Sequence, residues 1–164
     1  MTRRWPAVRT HTDDLLGYEM GHAASIGLAV VLIGLPLLGL GLSWMVESLA
    51  NDGGAGLVFY SIAQMLAYSP LVSWIGLILG IPLVYAAIRR GYGGWLVTMG
   101  IGALVGTVIL LVAVWVTLDS TGFRVALIGA TFGAFFAGVY WLAMRLTSPG
   151  LLRAPTDSVN ATHR

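Results

Sequence analysis

The chain has 164 residues, of which 57% are hydrophobic and 10% charged, with a mean hydropathy of +0.85 and a formal net charge of +2. A soluble domain carries about 25% charged residues, so there is too little polar surface here to cover a water-soluble globule, and lipid is the expected solvent. All nine basic residues are arginines placed near the ends of apolar runs, which reads as membrane topology rather than as a nucleic-acid patch. The lack of cysteine excludes disulfides, iron–sulfur clusters, thiolate metal sites and thiol relays.

The expected fold is all-α: a polytopic integral membrane protein with four transmembrane helices in two antiparallel hairpins, plus a short interfacial helix between the first two. Residues 1–22 are a polar cytoplasmic segment, in which Thr12, Asp13 and Asp14 before Leu15 and Leu16 predict the start of a short surface helix. This segment is too long and too acidic for a signal peptide, although Ser48-Leu49-Ala50 loosely resembles a cleavage site. The transmembrane domain covers 23–146. Its first span, 23–46, is roughly 36 Å of helix, enough to cross a core of about 30 Å, and it ends in the polar exit of Glu47, Asn51 and Asp52.

The stretch 57–68 is apolar but too short to span, so it is expected to be interfacial or re-entrant; the alternative is one long helix over 57–88. Ser69-Pro70 has the form of a cap and first-turn proline opening a new helix. The second span, 70–88, stops at Arg89 and Arg90, and the third, 95–118, stops at Asp119. A turn through Arg124 leads to the fourth, 125–146. The tail, 147–164, is a cytoplasmic segment expected to be partly disordered.

With the amino terminus cytoplasmic, eight of the nine arginines fall inside and Arg124 alone falls outside. The aromatics form two belts to match: Trp44, Trp74, Trp115 and Phe123 near the outer interface, and Tyr85, Tyr92, Trp95, Tyr140 and Trp141 near the inner one. Both termini are then cytoplasmic, in a membrane of bacterial inner-membrane type. A cytoplasmic tail also removes the Asn160 glycosylation acceptor from consideration.

Helices in lipid associate through small residues. Gly76/Gly80, Gly102/Gly106 and Gly129/Gly133 form Gly-x-x-x-Gly pairs, Ala126, Ala130, Ala134 and Gly138 make a small-residue face at intervals of four, and Gly27, Gly34 and Gly41 make a stripe at intervals of seven. Residues 32–38 and 78–84 match in type and carry Pro36 and Pro82, which predict kinks near mid-depth in oppositely directed helices. Paired interruptions of this kind point to a transporter site; two kinked helices packing together is the plainer reading.

No ionisable residue falls within the expected hydrocarbon core, against proton-coupled carriers, pumps and intramembrane haem. Glu19 and His22 share a helical face, but no further metal ligands accompany them. No catalytic, cofactor or metal residues are expected, and the chain reads as a non-enzyme. The stretch from Arg89 to Trp95 is a candidate contact for lipid headgroups: a helix starts after it, with N–H groups and two cations on offer to a phosphate. The plainer reading is a glycine turn flanked by topology-setting Arg89 and Arg90, with Trp95 as anchor. The expected partners are membrane lipids and another membrane protein or a second copy of the chain, with no nucleic acid. The leading function is helix–helix association as an accessory or assembly subunit or a homo-oligomer. The alternative is a small transporter or channel for a neutral or lipophilic solute, built on the first two spans.

Overall fold

The computed structural model describes residues 5–10, 17–50, 54–117, 122–148 and 152. The expected surface helix at Thr12, the turn at Asp119, the Asn160 acceptor and the end of the tail lie outside these residues, as do the side chains of Glu19, Trp115 and Phe123. Every regular element among the described residues is a helix. α1 (Gly17–Ala29) continues through a π-helical turn (Val30–Gly34) into α2 (Leu35–Ala50); α3 (Ala55–Ala67), α4 (Pro70–Arg89), α5 (Trp95–Thr117) and α6 (Gly122–Thr147) follow.

Three helical stretches are long and apolar enough to cross a membrane: Gly21–Glu47 with 27 residues, Trp95–Val112 with 18 and Arg124–Thr147 with 24. Ala55–Ala67 and Ser73–Arg89 are shorter apolar helices. Long apolar helices that leave leucines such as Leu37, Leu104 and Leu127 exposed need lipid or a partner around them rather than water.

The π turn has a cause in the sequence. Pro36 has no N–H to donate, and its ring crowds the carbonyl one turn earlier. The Leu35 N–H just ahead of it reaches back five residues, to the Val30 carbonyl, which widens the helix where the proline must pass. Pro82 differs, because α4 stays α-helical from end to end around it.

Two compact units divide the chain: Leu28–Trp74 is one, and Met1–Gly27 with Ile75–Arg164 is the other. In the first, α3 folds back along α2 after Gly54, whose φ of 60° suits a residue without a side chain. Gly39 carries the contact. A Cβ there would lie 2.8 Å from both the Ala63 carbonyl oxygen and the Leu66 carbonyl carbon, so the two backbones touch. α3 ends at Tyr68, whose N–H donates to the Gln64 carbonyl at 2.9 Å, and α4 opens at Pro70 as a separate helix rather than as an extension of α3. The expected side-chain cap is absent. The Ser69 hydroxyl is buried with no hydrogen-bond partner, and Ser69 serves the helix through its carbonyl, which accepts the Ser73 N–H at 2.8 Å. Proline at the first helical position has no N–H, so one of the donors left unpaired at a helix start is already removed.

In the second unit, α5 and α6 form the most extensive helix pair. Gly102 lies against Gly133 and Gly106 against Gly129, each glycine facing a backbone carbonyl of the other helix. Nothing larger than hydrogen fits at these four positions without moving a backbone. The Thr107 hydroxyl donates to the Ala103 carbonyl one turn back at 2.8 Å and lies 3.3 Å from the Ala126 carbonyl of the facing helix.

Candidate functional site

The 89–95 turn is held at both ends by backbone chemistry. Gly91 has a φ of 81° and closes α4. Its N–H donates to the Ile88 carbonyl at 2.9 Å, and the Tyr92 N–H donates to the Ala87 carbonyl at 2.9 Å. Those two bonds with a left-handed glycine make a Schellman cap, which satisfies carbonyls that the helix end would leave unpaired.

The opposite need arises at the start of α5, whose first N–H groups have no partner within the helix. The amino-terminal segment meets it. Residues 5–10 run as a non-helical strap across the turn. The N–H groups of Gly94, Trp95 and Leu96 donate to the carbonyls of Val8, Pro6 and Ala7 at 3.1, 3.1 and 3.0 Å. At the strap's far end the Thr10 N–H donates to the Gly91 carbonyl at 2.8 Å, and the Gly93 N–H donates to the Thr10 hydroxyl at 3.0 Å. Each such bond contributes about 0.5–1.5 kcal/mol net in water, and an unpaired N–H costs more where water is scarce. The phosphate cradle considered from the sequence is closed: the N–H groups it needs already donate to the chain's own carbonyls.

Side chains lock the strap in place. The Trp141 indole N–H of α6 donates to the Gly93 carbonyl at 2.8 Å, and Trp5 packs against Trp141 with centroids 5.6 Å apart and the rings tilted by 41°. A Cβ on Gly93 would meet Thr10 Oγ1 at 2.9 Å, Ile88 at 3.0 Å and Leu152 at 3.1 Å, and one on Gly94 would run into the Ala7 backbone. These two glycines are required for close approach. Arg9 stands over the Tyr92 ring at 6.0 Å and Arg89 over Tyr85 at 5.4 Å, both at cation–π range.

Beside the strap lies an apolar groove of ≈ 410 Å³ lined by Trp5, Trp95, Met99, Gly138, Trp141 and Leu142. Of its aromatic walls Trp141 is buried at 3%, whereas Trp5 and Trp95 are 56% and 36% exposed.

Arg89 and Arg90 lie exposed on the turn and Trp95 opens α5. Gly102, Gly106, Gly129 and Gly133 come together; Gly27 packs under the Tyr140 ring and Gly138 under Met99, both within this unit. Gly76 meets the Ile109 side chain at 3.6 Å, Gly34 meets only Val30 of its own helical segment, and Gly41 and Gly80 have open space. Among the described residues no three of His, Cys, Asp or Glu could hold a metal ion. Sequence reasoning missed Gly39, Thr10 and Trp5; it had Trp141 only as part of the inner aromatic belt and Gly93 and Gly94 only as part of the turn. Gly39 faces Ala63 and Ala67, two small residues at the same four-residue spacing, so a wider search would have found it. The strap leaves no comparable trace, because backbone carbonyls act as the cap. The chain matches no protein-family model, no curated protein and no solved structure.

Proposed function

We propose that the chain is a non-enzymatic integral membrane protein that acts through helix–helix association, as an accessory or assembly subunit of a larger membrane complex or as a homo-oligomer. The observation that carries this reading is the unequal use of its glycines. Gly102, Gly106, Gly129 and Gly133 are consumed by the α5–α6 contact, whereas Gly41 and Gly80 stand in open space on apolar helices. In lipid, open small-residue positions on a helix surface are where another helix approaches closely. α4 counts as the fourth span in this reading: its 20 residues give about 30 Å of helix, the thickness of a bilayer core. α3, at 13 residues, then lies at an interface or re-enters. The arginine distribution supports cytoplasmic termini.

Native mass spectrometry and cross-linking from mild detergent test the association. The expected result is an oligomer or a co-purifying membrane partner, lost in Gly41→Leu or Gly80→Leu with α5–α6 packing unchanged. A wild-type protein that is strictly monomeric and partner-free overturns the proposal.

A further inference from the structure

The geometry points to the groove beside the strap as a binding site for one anionic glycerophospholipid, with an acyl chain against Trp5, Trp95 and Met99 and the phosphate at Arg9 and Arg90. Three features lead there. The groove lies on the faces of α5 and α6, beginning at Trp95, the first residue of a helix long and apolar enough to cross the membrane. Its volume of ≈ 410 Å³ is within the range of ligand sites, about 300–1,000 Å³, and its lining is apolar and aromatic as a hydrocarbon chain requires.

Charge is arranged along the same axis. The 2.8 Å bond from the Thr10 N–H to the Gly91 carbonyl sets Arg9 and Arg90 on adjoining backbone, one at each side of that bond. From Arg9 the strap runs to Trp5 over four residues, at most about 14 Å, the order of distance from a phosphate into the upper acyl carbons. Arg9, Arg89 and Arg90 are all exposed at this turn, and it is these cations that complement an anion. A second copy docking here would set arginine against arginine. The headgroup is read by guanidinium groups rather than by the α5 N-terminus, because the strap occupies those N–H groups.

Retention of added phosphatidylglycerol and of phosphatidylcholine with the same acyl chains, measured by native mass spectrometry on the full chain, tests this. The wild type should keep one phosphatidylglycerol in preference to phosphatidylcholine. Arg9→Gln and Arg90→Gln should each cut that preference by about fivefold. Gly138→Leu should abolish retention of both lipids: a Cβ there makes ordinary contact with Met99 at 3.5 Å, and the rest of the side chain fills the groove. Trp5→Ala gives the same reading should Gly138→Leu fail to fold. Equal retention of the two lipids by the wild type, or undiminished retention in the folded groove variant, overturns the site. So does a lipid-free dimer that Gly138→Leu dissolves, which would give the groove to a second copy.

Discussion

The α5–α6 pair and the α2–α3 hairpin solve one problem in two ways. Both bring backbones into contact where burying leucine gains little over lipid. α5 and α6 do it reciprocally, with Gly102 and Gly106 received by Gly133 and Gly129, so the fit is distributed over two turns of each helix. α2 and α3 concentrate it at Gly39, which sits over Ala63, Leu66 and Ala67. A distributed contact keeps two long helices in register. A concentrated one suffices for α3, whose 13 residues follow α2 through a short connection.

The largest expected effect breaks the distributed contact. Gly133→Ala places a methyl group on the Gly102 carbonyl, and overpacking of this kind costs about 1–3 kcal/mol. It should lower the unfolding midpoint in detergent and separate α5 from α6, read by loss of cross-linking between cysteines introduced at facing positions; the cysteine-free background makes that readout clean. Gly39→Ala should cost a similar or smaller amount, about 1–2 kcal/mol, because α3 can slide away from one point of contact. Its cross-links to α2 should weaken while those between α5 and α6 hold; loss of both would show that the two units do not pack independently. The smallest effect belongs to Gly80→Ala. With open space around it, alanine should be neutral or stabilising by up to about 1 kcal/mol through helix propensity. A marked loss of monomer stability there would place an unseen intrachain neighbour against α4.

Much of this was legible beforehand. Apolar runs bounded by arginine and glycine mark helices because a backbone in lipid must bond internally, and a helix does so within one segment. The break at Ser69-Pro70 followed from proline's missing donor, even though the Ser69 hydroxyl does not make the expected cap. The fate of each glycine was not legible. Gly76/Gly80 and Gly102/Gly106 share one spacing, yet Gly102 and Gly106 meet another helix's backbone and Gly80 meets nothing. Nor did the likeness of 32–38 and 78–84 carry through, since a π turn forms ahead of Pro36 and none forms around Pro82.

By itself the sequence determined that this is a helical protein with helices apolar enough to cross a membrane, that residues 89–95 form a turn closed by a glycine, and where its cations lie. These are local properties, set by hydropathy, by backbone donors and by glycine's access to positive φ. What only the tertiary structure decided is that residues 5–10 return to that turn, where three of their carbonyls accept the N–H groups at the start of α5, with Trp141 and Trp5 pinning the crossing. Main-chain carbonyls are common to every residue, so no side-chain pattern announces which of them a distant helix will use.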